Sequence, residues 1–327
     1  MKIVLTGDIG GTNARFVQFI DGVYQADTFR VIPVVNHRDL GDAIDEYLQS
    51  VGNPDLDQAS FSFASTHEYQ DNMELTNSEL SLSVSGMLKR FELKRCRVVN
   101  DFTAAAVGIM SLPSDCLTEI NAGTNDAYGP RAVIGPGTGL GVSGLLYAGS
   151  YWHPLQSQGG HVSMGAQTPR ELAVYEILLK KYSHVSAERY LSGIGTVEVY
   201  RALCELEQKP PVFDQAKEIS AAGINGECSL CSEVMELFCK WLGVIAGDLA
   251  VTLGATGGIY IAGGIVPQLG EYFLKSKFTH WLQNKGRFTE FVQDMPVWVV
   301  NGGEPALYGS YTCLQKDYDG FGFTVSA

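Results

Sequence analysis

The chain is short of positive charge. Its 327 residues carry 23 Lys and Arg against 36 Asp and Glu, a formal charge of −13. No Lys/Arg run offers a basic face. This argues against a general nucleic-acid binder, which grips phosphates by displacing counterions. It also argues against docking on anionic lipid. Long apolar runs are missing too. The best candidate, residues 243–266, carries Asp248 and seven glycines, and reads as a helix end, a turn and a buried strand rather than a membrane span. Asp8 interrupts the first apolar run too early for a signal peptide. The seven cysteines are odd in number, and a chain of this size needs no disulfide staples, so reduced thiols in a cytoplasm are expected. The lone Cys228-Ser229-Leu230-Cys231 has no second ligand pair at zinc spacing and reads as structural thiols.

What the chain has in excess is glycine: 37 residues, above the usual ~7%. Apolar residues make up 45%, ample for two cores, and the length favours two domains at ~100–200 residues each. Strands are expected at residues 2–6, 14–20, 59–64, 96–99, 132–135, 142–147, 258–262 and 297–300. Asp21-Gly22 is a two-residue hairpin signal. Helices are expected at 40–51 and 102–110, and from 232 to 253 on the spacing of its apolar residues. Thr168-Pro169-Arg170-Glu171 is a capping box opening a helix to about residue 181. There is no tandem repeat or low-complexity tract. A theme does recur after residues 5, 134, 262 and 300: an apolar strand running into a glycine turn, where backbone N–H groups can face an anion unobstructed.

The first such turn, residues 7–15 (GDIGGTNAR), is neither GxGxxG nor GxxxxGK[ST]. It reads either as a hairpin turn with a local hydrogen-bond network or as a phosphate loop. In the second reading Thr12 and Asn13 donate hydrogen bonds, Arg15 adds charge and Asp8 orients a water on Mg²⁺. Residues 135–141 (GPGTGLG) are bare of side chains except Pro136, Thr138 and Leu140; alone they fit a tight bend, and with the first turn they fit a second phosphate loop. Residues 261–267 can form an apolar shelf for a purine or for helix packing. Asn100-Asp101 lies between a strand and a helix. This places Asp101 as a helix N-cap or as a carboxylate able to accept a proton from an alcohol. Gln158-Gly159-Gly160-His161 is a glycine turn followed by a histidine. Glu188 falls in the first turn of a short helix capped by Ser186, where a carboxylate suits the helix dipole in any case.

Taken in series, residues 7–15, 100–104, 135–141, 159–162, 184–193 and 262–267 resemble the bacterial glucokinase family, and 285–288 also fit. The resemblance runs in order over nearly the whole chain. It implies an α/β, two-domain actin-like ATPase or hexokinase-type (ribonuclease H-like) fold with an interdomain cleft. The small domain would be 1–111 plus 302–327, and the large domain 112–301. The implied activity is ATP-dependent phosphorylation of D-glucose at O6, giving glucose 6-phosphate at the head of glycolysis, by a cytoplasmic homodimer. Its partners would be glucose and MgATP, with neither nucleic acid nor membrane. Family positions make Asp101 the general base, and Asn77, Asn100, Gln158, His161 and Glu188 sugar ligands. Gly7, Asp8, Gly10, Gly11, Thr12 and Asn13 form one phosphate loop. Gly137, Thr138 and Gly139 belong to the other, and Gly263 and Gly264 to the adenosine region. Mg²⁺ would be held mainly through ATP phosphates.

Two departures bear on sugar identity. The family commonly has glutamate where this chain has Gln158, and an amide loses charge-assisted strength toward sugar hydroxyls. Residues 65–71 (STHEYQD) also leave the family's usual pattern. A kinase of mannose or N-acetylmannosamine, a catalytically silent sugar-binding regulator and an actin-like assembling ATPase are the alternatives. The zinc-binding cysteine cluster of a related group of sugar kinases and repressors is missing. So is room for a helix-turn-helix ahead of residue 2.

Overall fold

The computed structural model describes residues 1–37, 39–63, 70–74, 80–316 and 322–327. It separates into two compact units. One holds residues 1–114, 152–156 and 302–327, and the other 115–151 and 157–301.

In the first unit, strands β1 (Ile3–Ile9), β2 (Asn13–Ile20), β3 (Val23–Pro33), β4 (Gln58–Phe63), β5 (Asn72–Glu74), β6 (Ser81–Ser83) and β7 (Arg95–Asn100) follow in chain order. The second unit contributes β8 (Leu117–Asn121), β9 (Arg131–Pro136), β10 (Leu140–Ala148), β12 (Ile259–Ile261) and β13 (Val297–Val300). Strand β11 (Tyr151–Leu155) follows β10 in the chain, and β14 (Phe323–Ser326) closes it.

The first sheet contains the order β14-β7-β4-β1-β2-β3. Strands β1, β4 and β7 are parallel, β2 is antiparallel to β1, and β14 is antiparallel to β7. The second unit repeats this plan in the order β8-β13-β12-β9-β10. There β9, β12 and β13 are parallel, β10 is antiparallel to β9, and β8 is antiparallel to β13. The sequence shows no repeat, because what is duplicated is strand pairing rather than side chains.

Sheet one is covered on both faces, which is why residues 3–5 are apolar without alternation. Ile3 and Leu5 join Phe16, Phe61, Phe63, Ile44 and Tyr47 in one cluster, while Val4 joins Val17, Phe19, Leu307 and Leu314 in another. The Asp21-Gly22 hairpin has φ of 47° and 90° at its two central residues, the signature of a type I′ turn. Helix Asp101–Ile109 lies backbone to backbone against helix Pro305–Gln315. A Cβ on Gly108 would fall 1.8 Å from the Pro305 carbonyl, and one on Gly309 would fall 1.7 Å from that of Ala104. These glycines and the small residues 104–106 permit the approach, so the C-terminal segment fixes the helix that begins at Asp101.

In the second unit the core gathers around the 25-residue helix Ser229–Leu253, with Phe238, Trp241 and Leu242 buried. It starts three residues earlier than its apolar spacing predicts, because the Cys228 Sγ caps it by accepting the Cys231 N–H. Gly254, at φ 60°, ends it in the left-handed conformation. Helix Pro169–Lys181 begins as expected, with Thr168 accepting the Glu171 N–H at 3.3 Å. Glu171 does not return the bond to Thr168. It accepts the Gln167 N–H at 2.8 Å and pairs with the buried Lys240, whose ammonium lies 3.8 Å from the Trp281 ring centroid. Among the described residues no helix is long and apolar enough to cross a membrane.

Candidate functional site

The first unit gathers carboxylates at the ends of its parallel strands. Asp8 stands opposite Arg15 in the β1–β2 ladder, and the Arg15 Nη1 lies 3.2 Å from Asp8 Oδ2. The Arg15 Nε also faces Glu304 Oε2 at 3.6 Å, and Ser62 Oγ donates to Asp8 Oδ1 at 3.4 Å. Burial and the negative charge of Asp101 push Asp8 up to about 6; Arg15 opposes this, Glu304 adds to it, and Ser62 lowers it. Arg15, expected to serve phosphate, therefore spends its charge on Asp8 and Glu304.

Asp101 is the first residue of its helix, and the N-cap is Asn100, correcting the expectation that Asp101 caps. Strand β7 ends with Asn100 still extended, at ψ 140°, so its side-chain Oδ1 reaches the Thr103 N–H at 2.9 Å. Asp101 Oδ1 accepts the Phe102 N–H at 2.7 Å. Burial pushes the Asp101 carboxyl above its ordinary value, opposed by the N–H groups of Phe102 and Asp101 itself. The division of labour leaves Asn100's amide NH₂ as a donor and Asp101 as a carboxylate of raised basicity.

The loop 10–12 closes with the Gly10 N–H donating to the Asn13 carbonyl at 3.0 Å. Gly7 serves the core instead, since a Cβ there would stand 2.8 Å from Phe61 and 2.9 Å from Phe16. Gly11, Thr12 and Asn13 are exposed. In the second unit the loop 137–139 also closes through its first N–H, but more tightly, Gly137 donating to the Gly139 carbonyl two residues on at 2.8 Å. Among the described residues, the N–H groups of Gly11, Thr12, Thr138 and Gly139 donate to no protein acceptor. Each loop thus holds two backbone donors available to an anion.

The second unit also assembles Gln158, His161 and Glu188. Residues 159–161 form a single 3₁₀ turn, as do 187–189, and an isolated bridge between Ser163 and Ser186 joins the two segments. Ser186 occupies the cap position without a side-chain cap bond, which corrects the expected cap. Gly160 packs on β10, where a Cβ would fall 2.0 Å from the Leu140 carbonyl. Glu188 Oε2 accepts the Leu140 N–H at 2.9 Å, tying this carboxylate to the exit of the glycine loop. The same carboxylate explains Gly139, whose Cβ would stand 2.6 Å from Oε2. His161 and Gln158 side chains are exposed. The His161 carbonyl accepts from His184 Nε2 at 2.8 Å.

Gly263 adopts φ 80° and approaches Pro136 so closely that a Cβ would fall 2.4 Å from its carbonyl oxygen. It therefore lies beside the loop 137–139, with Gly264 opening the helix Ile265–Leu269. Lys285 donates to Asp248 Oδ1 at 2.7 Å and to the Val244 carbonyl at 2.9 Å, anchored on the long helix. Asn77 and residues 65–69 lie outside the described residues. Glu304 was not foreseen. Its signal is a charged residue wedged between Gly302-Gly303 and Pro305, where the chain needs a left-handed residue, φ 46°, to start a helix.

Comparisons agree along the whole length. The glucokinase family profile matches residues 5–317. The curated glucokinase of Aromatoleum aromaticum is 41% identical over 315 residues, 95% of this chain and 94% of that one. A crystal structure of glucokinase from an Antarctic psychrotroph aligns with a TM-score of 0.82 at 32% identity, covering 96% of this chain and 99% of that one. A ROK-family glucokinase from Streptomyces griseus, solved with glucose and AMPPNP, shares the fold at a TM-score of 0.61 and 17% identity, over 96% and 99% of the two chains. The paired sheets are those of the α/β, two-domain actin-like kinase fold. By a profile spanning nearly its full length and by this identity to curated members, the chain belongs to the glucokinase family.

Proposed function

We infer that the protein is an ATP:D-glucose 6-phosphotransferase. The observation that carries this is its near full-length identity to curated glucokinases. The chemistry of the two units supports it. Phosphoryl transfer is mostly positioning and charge stabilisation. Asp101 takes the proton of the sugar 6-hydroxyl, and its raised pKa makes it a better base near neutral pH. Asn100, Gln158, His161 and Glu188 orient the sugar hydroxyls, together with Asn77. The unpartnered N–H groups of Gly11, Thr12, Thr138 and Gly139 receive nucleotide phosphates, and Gly263 and Gly264 border the adenosine.

Mg²⁺ fits this donor set. It keeps several waters and takes one or two carboxylates beside phosphates, so it needs no all-protein cage. None of three or more ligands assembles among the described residues. Asp8, raised by burial and by the charges of Asp101 and Glu304, is the carboxylate whose ionised form a nearby divalent cation would stabilise. When bound, the ion neutralises phosphate charge, which a chain of −13 otherwise repels. The two compact units act as the small and large domains of a cytoplasmic homodimer, a setting in keeping with seven free cysteines. A coupled assay of ADP release across glucose, mannose and N-acetylmannosamine tests the reading. Glucose should give the highest kcat/KM, with 6-phosphate as product; a higher value for another hexose moves the assignment to that sugar.

A further inference from the structure

The pair Cys228 and Cys231 is not among the residues assigned above to sugar or nucleotide, yet its placement is specific. Cys228 is the N-cap of helix Ser229–Leu253, and its Sγ accepts the Cys231 N–H at 3.4 Å. The two residues stand three apart at the first helical turn, on one face, with side chains as neighbours. The Cys231 N–H points at the Cys228 sulfur, so the first cysteine's Sγ already sits over the turn that carries the second. Cys228 is partly exposed, whereas Cys231 is buried. We propose that Cys228 and Cys231 form a reversible dithiol–disulfide pair, with Cys228 as the attacking thiol, Cys231 as the resolving thiol and a small-molecule disulfide as oxidant.

The asymmetry a dithiol site needs is present. Burial raises Cys228, but the N–H groups of Cys231 and Leu230, the Cys231 thiol and Lys209 together bring it below the ordinary thiol range. Cys231 is pushed up to about 12 by burial first, then by the neighbouring Cys228 side chain and by the charges of Cys228 and Cys204. A thiolate stabilised at a helix N-terminus beside a protonated partner is the arrangement that favours attack by the first cysteine. The Cys228 thiolate attacks one sulfur of the disulfide RSSR. A bond forms between Cys228 and that sulfur, and the S–S bond breaks. The first RS⁻ leaves and takes up a proton. The Cys231 thiol then attacks Cys228 Sγ, giving up its proton as the second RS⁻ leaves and becomes RSH. Two protein thiols are oxidised and one disulfide is reduced to two thiols.

Cys116 supplies an internal control. It is also partly exposed, but burial and Asp115 raise its pKa. The test treats the full-length protein with oxidised glutathione, blocks remaining thiols and maps peptides by mass spectrometry. The expected result is loss of two hydrogen masses, a Cys228–Cys231 linkage, and full reversal by dithiothreitol. Brief alkylation should label Cys228 roughly tenfold faster than Cys116. Cys231→Ser should stop the reaction at a glutathione adduct on Cys228. Cys228→Ser, which keeps a good N-cap, should fold normally and form neither product. Thiols that stay reduced under oxidised glutathione, or equal modification of Cys116 and Cys228, would overturn the proposal.

Discussion

The hairpins β1–β2 and β9–β10 share one plan: a parallel-sheet strand, a three-residue glycine turn closed by its own first N–H, and an antiparallel return. They are used differently. At the first, charge is concentrated: Asp8, Arg15 and Glu304 crowd together, and Asp101 acts on Asp8 electrostatically. At the second, the carboxylate beside the loop, Glu188, is spent on accepting the Leu140 N–H. One scaffold therefore carries two electrostatic settings, a charged cluster in the first unit and a largely uncharged glycine loop in the second. Strand pairing sets where the turn falls, and the residues just beyond the strand ends set what it does.

The largest expected break in this contrast comes from the charged unit. Asp101→Asn removes the proposed base and should lower kcat by about 10²–10⁴ while leaving glucose affinity close to wild type, measured by steady-state kinetics and calorimetry. Near-normal turnover would remove Asp101 from its role. Next in size is the support beneath it. Gly309→Ala forces the Pro305–Gln315 helix away from Ala104 and should cost about 3 kcal/mol in urea unfolding. By contrast, Gly137→Ala meets nothing within 4 Å and should stay within about 0.5 kcal/mol while raising KM for ATP. Equal losses in the two variants would mean that the second loop's glycine serves the fold as well.

Asp8 sharpens the electrostatic half. Its native carboxyl holds a proton to about pH 6, against 3.8 for the ordinary group, so the native state loses stability as pH rises through that window. Asp8→Asn should thus raise the melting temperature at pH 8, by up to about 2 kcal/mol in stability, and much less at pH 4. A loss of similar size at both pH values would show that the Arg15 pair outweighs the burial. A modest effect on binding is expected in the second unit. Gln158→Glu should tighten glucose by about 1 kcal/mol if a charge-assisted bond replaces a neutral one. Unchanged affinity would mean the amide is not a sugar contact.

Local structure with a single physical cause was readable in advance. Thr168 and Pro169 announced their helix, and Asp21-Gly22 its turn, because cap and turn chemistry act over a few residues. Adjacent candidates were harder. Asn100 and Asp101 are both good caps, and only the point where β7 stops decides between them. The dual use of glycine was hidden as well. Gly7 accommodates two phenyl rings, and Gly108 and Gly309 accommodate a neighbouring helix, contacts made across tens or hundreds of residues. The duplicated sheet plan and the Arg15–Glu304 pair are long-range for the same reason. The family resemblance, and with it the candidate site residues, came from the ordered series of motifs rather than from any one of them.

The most direct test is the sugar dependence of ADP release by the purified protein with MgATP. Titrated glucose should raise release from near background to saturation, with one glucose 6-phosphate formed per ADP. Release that is the same with and without glucose, or none at any glucose concentration, would contradict a glucose kinase built on Asp101.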